Sequence, residues 1–256
     1  MNFNTSFLVY LYQNMLYTML YMNHPHVTFQ YNTEKDITNL NIGLALARNG
    51  KNADGEVSRI IRELGTNNPT DEQLRLYVED WWRGKEHLKP LIIEPLQVYW
   101  NSVEQKFFKK LYTEMQLASW YRVEKINSFL SIRYGCGYNE REQWFATSVH
   151  ASTFKNTTTA MHEIMHIFFH KQWWQFCEEQ GVEGNLIWDI KESFTTLLNI
   201  WFQNELIDTD FGYQEHQNLR ARIREWHQAG DDFRTICGKA CIYMKEHPDE
   251  HAPWKI

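Results

Sequence analysis

The stretch Thr158-Thr159-Ala160-Met161-His162-Glu163-Ile164-Met165-His166-Ile167-Phe168-Phe169-His170 decides how the rest of the chain is read. Apolar residues recur at Ala160, Met161, Ile164, Ile167 and Phe168, the spacing of a helix, and Asn156 to Thr159 offers N-cap side chains ahead of it. The pattern predicts a helix from about Thr158 to Trp174. On that helix His162 and His166 stand four apart, one turn above the other on a single face. Two imidazoles so placed can both reach one Zn2+ ion at about 2.0–2.1 Å. Glu163 follows the first histidine and points beside the ion rather than at it, where a carboxylate can take a proton from water. The neighbours Ile164, Met165, Ile167, Phe168 and Phe169 make most of the helix apolar, and polar groups in such a setting need partners that a metal would provide.

A catalytic zinc takes three protein ligands and keeps one corner open for water. In the extended metzincin pattern a glycine and a third histidine would stand at the positions of Phe169 and Gln172, so that pattern is absent. Three ligands from consecutive turns of one straight helix give poor tetrahedral geometry, so His170 reads as an orienting or surface histidine. The segment Trp188 to Phe202 is strongly apolar, and its polar members Glu192, Thr195, Thr196 and Asn199 fall at i, i+3, i+4 and i+7. They form one stripe on one helix face. A polar stripe on a buried helix faces solvent or something polar, and a metal flanked by hydroxyl and amide groups is the sharper reading. Glu192 is therefore the expected third ligand, with Asp189 in reserve. Glu178, Glu179 and Glu183 sit in a glycine-containing loop and read as solvated.

Outward from these helices, the chain reads as α+β and predominantly helical. The run Phe129 to Tyr134 and the run Trp144 to Val149 are candidate strands, joined by turn residues Gly135 to Asn139, and together predict a hairpin. The strand Trp144–Val149 is expected to pair with an extended peptide along its edge. Upstream, Gly55 to Leu64 has helical spacing, and Thr70 followed by Gln73 is a capping-box pattern for a helix reaching about Arg83. Residues 34–55 read as loop with one short helix near Leu44–Arg48. Pro90 and Pro95 mark an irregular connection before an amphipathic helix from Leu96 to Met115. A helix fits Trp188 to Glu205, and one or two more follow from Gln214. The expected organisation is an apolar N-terminal segment over 1–33, then a single domain over 34–256. That domain divides into a helical part at 54–125, the hairpin and metal-binding helices at 126–205, and C-terminal helices at 206–256.

The 256 residues suffice for one full-sized core. The net charge is −6, and no basic block interleaves with aromatics, so a nucleic-acid partner has no support. Four cysteines in a chain this long do not make a disulfide framework, and they read as structural thiols, with Cys237 and Cys241 on one helix face. Residues 1–33 carry no Lys, Arg, Asp or Glu, yet Gln13 and Asn14 interrupt the apolar run. The run is short and polar-broken for a membrane span, and it lacks the basic start and small-residue cleavage site of a secretory signal. A buried or amphipathic helix is the expectation there, with Met15, Met19 or Met22 as alternative starts, and the location reads as cytoplasmic.

With these residues in hand, the chain resembles the gluzincin branch of zinc metallopeptidases. That group pairs His-Glu-x-x-His on one helix with a downstream glutamate on a second, here His162 to His166 and Lys191-Glu192-Ser193-Phe194-Thr195-Thr196. The resemblance covers roughly Phe129 to Phe202 and rests on motifs. It implies a zincin-like fold, with a small twisted sheet and an active-site helix beneath it. It implies zinc as cofactor, a peptide or protein substrate, and Glu163 as general base. Thermolysin-like members place an aspartate four residues after the metal glutamate to orient a ligand histidine, and Thr196 stands there instead. Such members also steady the oxyanion with a Tyr or His, for which Tyr213, His216, His227 and Tyr243 are candidates. The run to His170 followed by a Glu-bearing helix is also similar to the ImmA/IrrE family of regulatory metallopeptidases. A zinc-binding regulator without peptidase activity would instead close the site with a fourth ligand such as Cys136 or His150.

Overall fold

His26–Tyr31 alternates in burial, with Val27 and Phe29 inside, and forms β1 of a four-stranded sheet. The computed structural model describes residues 24–50, 53–118 and 123–247, so the apolar run Phe7 to Met22 lies outside the described residues. β1 pairs in parallel with β2 (Lys125–Ser131), and β2 pairs in parallel with β4 (Trp144–Ser148). The two-residue β3 (Tyr138–Asn139) runs antiparallel along β4, giving the order β1-β2-β4-β3. β1 was not anticipated from sequence, where it fell within the N-terminal segment.

The expected hairpin of Phe129–Tyr134 with Trp144–Val149 is corrected. Those runs are parallel neighbours, with Ser128 opposite Phe145 and Phe129 opposite Ala146. The turn residues Gly135 to Asn139 instead lead into and include β3, and the Ala146 amide donates to the Gly137 carbonyl just ahead of that strand. Both runs are buried almost throughout, which suits parallel strands covered on both faces better than the in–out alternation of a hairpin. β4 is therefore flanked by β2 and β3, and β3 rather than Trp144–Val149 forms that margin of the sheet.

The opposite margin is closed by side chains. Helix α4 (Leu88–Glu114) lies along β1, where Gln97 accepts from the Phe29 amide at 2.9 Å and donates to the Val27 carbonyl at 3.0 Å. Glu104 accepts from the Val27 amide at 2.8 Å and from the Trp100 indole at 2.8 Å. The outward amides of Val27 and Phe29 and the Val27 carbonyl, which on an edge strand otherwise invite pairing, are thus satisfied within the chain.

The other helices are α1 (Thr33–Arg48), α2 (Gly55–Leu64), α3 (Asp71–Trp82), α5 (Thr153–Glu179), α6 (Gly184–Phe194), α7 (Leu198–Trp201), α8 (Gln217–Gln228) and α9 (Phe233–Glu246). α2 has the expected bounds, and both halves of the Thr70–Gln73 capping box form at the start of α3. Residues 34–55 are not mostly loop: Asn32 caps α1, and Ile37, Leu40 and Leu44 bury one face of a full helix. The region around Pro90 and Pro95 is not irregular either. Pro90 sits in the first turn of α4, where its missing N–H would have no helical partner, and α4 continues through Pro95. Trp100, Phe107, Phe108 and Leu111 of that helix are each no more than 1% exposed, and this burial holds it together past the proline. The helix expected over Trp188–Glu205 is broken into α6, a 3-10 turn at Thr195–Leu197, and α7. The chain is α+β and mostly helical with a small mixed sheet, and no helix among the described residues is long and apolar enough to cross a membrane.

α1 is tied to the end of β2 by Asp36, whose Oδ1 accepts from Ser131 Oγ at 2.6 Å and from the Ile132 amide at 3.1 Å. Burial raises this carboxyl to about 7, against the hydrogen bonds that favour its charged form. The folded chain therefore holds a proton on Asp36 that the unfolded chain has released, and Asp36 contributes less to stability as pH rises from about 4 to about 7. Asp36→Asn keeps the acceptor and removes the titration. Denaturation midpoints of the two proteins, compared across that window, are expected to shift in favour of the variant as pH rises; a constant difference would contradict the assignment.

Candidate metal centre

α5 begins earlier than its pattern predicts, capped by Ser152, and carries His162 and His166 to the point where α6 delivers Glu192. Glu192 Oε2 lies 3.4 Å from His162 Nε2 and 3.2 Å from His166 Nε2. A tetrahedral ion with bonds of about 2.0–2.1 Å separates its ligand atoms by roughly 3.3–3.4 Å. No hydrogen bond of acceptable geometry joins these atoms, and His166 Nε2 and Glu192 Oε2 are buried without one. Buried polar atoms are otherwise almost always paired. The donor set is two imidazole nitrogens and a carboxylate oxygen, a common set for catalytic zinc, so the residues fit the metal that the resemblance implies.

Electrostatics around the three groups favour a cation. Burial pushes His166 down to about 3, so its ring is neutral and offers a lone pair. Burial also works against the Glu192 carboxylate, but the Lys191 ammonium and the polar contacts of the two imidazoles hold it well below the usual carboxylate range. Lys191 donates to Glu192 Oε1 at 2.9 Å, so only Oε2 remains turned to the histidines. The same ammonium donates to the Tyr138 hydroxyl at 2.7 Å and lies 4.0 Å from the centre of the Trp188 ring. Tyr138 in turn is 2.8 Å from His170 Nε2. β3 thereby anchors the glutamate, and His170 is committed to Tyr138 rather than to the metal group.

The far side of His162 is held by a residue that sequence reasoning missed. His162 Nδ1 is 2.5 Å from Asp210 Oδ2. Assigning the proton to Nδ1 leaves the Nε2 lone pair facing Glu192 and His166. Burial opposes charge on this ring, but Asp210 outweighs it and raises His162 to about 10; a carboxylate that favours a proton on the ring favours a metal at Nε2 in the same way. Asp210 is itself cradled. Thr195 Oγ1 donates to Oδ1 at 3.0 Å, Arg220 donates to Oδ1 at 2.9 Å and to the Asp210 carbonyl at 2.7 Å, and the Asn199 amide both donates to that carbonyl and accepts from the Asp210 N–H.

The polar stripe on the Glu192 helix thus faces the site as expected, but its members do different things. Thr195 and Asn199 hold Asp210, whereas Thr196 accepts from Arg224 at 3.0 Å. The aspartate that pairs with His162 is thus Asp210, outside the helix that carries Glu192, and Thr196 has no part in it. Asp189 is not a reserve ligand: it is paired with His216 at 2.8 Å, and neither belongs to the metal group. His216 is therefore not an oxyanion candidate. His227 accepts from Trp201, Tyr243 stacks on His247, and His150 stacks on Tyr134, so none of the three joins the site.

Over His162 and Glu163 opens a cleft of about 250 Å3, also lined by Cys136, Asp210, Phe211 and Tyr213. Glu163 is 6% exposed, and burial raises its carboxyl to about 7. Of the four aromatic or histidine candidates for the oxyanion, Tyr213 alone lines this cleft. Cys136 lines it too, with a thiol that burial pushes up to about 12.

Asp210→Asn is expected to weaken zinc binding about 10- to 100-fold while His162, His166 and Glu192 all remain. Competition with a chromophoric zinc chelator measures this, and an unchanged affinity would remove Asp210 from the site. No family model, curated protein or solved structure matches the chain.

Proposed function

We propose that the chain is a zinc-dependent peptidase with a zincin-like fold, its metal held by His162, His166 and Glu192. The observation that carries this reading is the convergence of two imidazole nitrogens and one carboxylate oxygen at tetrahedral separations, two of those atoms buried without a hydrogen bond. Zinc bound there would lower the pKa of water and polarise a carbonyl group. Glu163 lies beside the ligands and faces the cleft, where it accepts the proton of the attacking water and returns it to the leaving nitrogen. Tyr213 lines the same cleft, and its hydroxyl is the donor assigned to the developing oxyanion. An extended peptide adds along β3, which presents the margin of the sheet beside the site. The three-residue ligand group has no fourth protein donor among the described residues, which favours an open site over a closed, purely structural one.

Metal analysis of purified protein tests the reading. The wild type is expected to carry one zinc per chain and to cleave peptides in an unbiased library, and His166→Ala and Glu192→Ala to lose both properties. A wild type that retains no zinc would overturn the proposal, and full zinc in Glu192→Ala would remove the third ligand.

A further inference from the structure

Three of the four cysteines meet far from the cleft. Cys177 lies on α5 eleven residues beyond His166, about 16 Å along the helix. Cys237 and Cys241 lie one turn apart on α9. All three are 0% exposed, their sulfurs lie within 4.8 Å of one another, and Cys177 Sγ is 3.6 Å from Cys237 Sγ. None forms a disulfide. We propose that these three cysteines form a second metal site, a buried trithiolate that binds one Cu(I) ion.

The argument is one of geometry and donor softness. With metal–sulfur bonds of about 2.3 Å, ligand sulfurs stand roughly 3.8 Å apart in a tetrahedral site and roughly 4.0 Å apart in a trigonal one. The cluster needs only a small adjustment to meet either figure. No fourth His, Cys, Asp or Glu donor joins the group among the described residues, and the sulfurs are sealed from water. Structural zinc asks for four ligands, whereas a soft monovalent ion accepts three thiolates. Hydrogen bonds from Cys177 and then Cys237 lower the Cys241 thiol to about 4, whereas Cys177 is raised and burial holds Cys237 well above the ordinary thiol value, so the metal must displace the protons of those two. Loading breaks the remaining S–H bonds, releases those protons to solvent and forms three S–Cu bonds, with no electron transferred. Lys245 opposes the negative charge of the loaded group. Because the sulfurs are enclosed, the ion enters as the chain folds or when α9 opens.

The test refolds the full chain anaerobically with one equivalent of Cu(I), supplied as its acetonitrile complex, and desalts it against a Cu(I) chelator. One copper per chain is expected to remain, with thiolate-to-copper absorption in the near ultraviolet and three sulfur neighbours by X-ray absorption. Cys177→Ala, Cys237→Ala and Cys241→Ala are each expected to lose the copper. Cys136→Ala and Glu192→Ala are expected to keep it, which separates this site from the zinc site. Loss of copper from the wild type, fewer than three sulfur neighbours, or retention in a Cys237→Ala protein would overturn the proposal. The wild-type coordination number decides the matter even where a variant fails to fold.

Discussion

Glu163→Gln is expected to retain one zinc per chain and to lose peptide hydrolysis by about 100- to 10,000-fold, the range that general acid–base catalysis supplies. Glutamine has the shape of glutamate and keeps an acceptor oxygen, but it cannot take up a proton near neutral pH. Glu163 is next to a ligand on α5, yet it is not in the ligand group, and it faces the cleft beside His162. Metal content should therefore be untouched while kcat falls. The contrast with His166→Ala is diagnostic, because that variant loses the metal and the activity together. Steady-state kinetics on a single peptide, run beside metal analysis of the same preparations, makes the comparison. Full turnover by Glu163→Gln would reject the base, and zinc loss in that variant would place its carboxylate among the ligands.

The largest stability effect is expected at Arg220. This guanidinium is 1% exposed and donates to Asp210 Oδ1, the Asp210 carbonyl and Thr195 Oγ1. Removing one partner of a buried pair costs about 3–5 kcal/mol, because the other charge is left uncompensated. For a chain of this size that corresponds to a fall in Tm of roughly 6–20 °C. Arg220→Ala should also loosen Asp210 from His162, so zinc affinity falls with stability. Arg220→Lys restores the charge but not the forked geometry and should recover only part of the loss. Gly212 reports on the same packing: its φ is +62°, and an added Cβ would approach Arg220 Nη1 to 2.5 Å. A thermal scan of Arg220→Ala that matches wild type would show that the cradle carries no weight.

Four residues of the candidate site were legible because each follows from local spacing. His162, Glu163 and His166 share one helix, and Glu192 was exposed by a polar stripe at helical intervals on an apolar segment. Asp210 was not legible. It lies in an irregular stretch after α7, eleven residues beyond Asn199, and its role depends on how that stretch folds back over α5. The stripe held the hint, since Thr195 and Asn199 needed a polar partner, but nothing in their spacing named it. The strands failed for a related reason. Buried parallel strands lose the period-2 signature, so β2 and β4 resembled the arms of a hairpin, and the alternating His26–Tyr31 was overlooked beside a more apolar neighbour. α1 was underread because Asp36 and Asn39 are buried on it, polar residues that a pattern search counts as solvent-facing.

Gln97 and Glu104 give the sheet a direction of growth. With the amides of Val27 and Phe29 and the Val27 carbonyl already engaged, a second copy of the chain meets fewer open backbone groups there through which to zip into a continuous ribbon. A strand-like peptide would on this account find β3 the more open flank of the sheet. Gln97→Ala together with Glu104→Ala would lift that protection, and self-association visible in light scattering is the behaviour such a double variant should acquire.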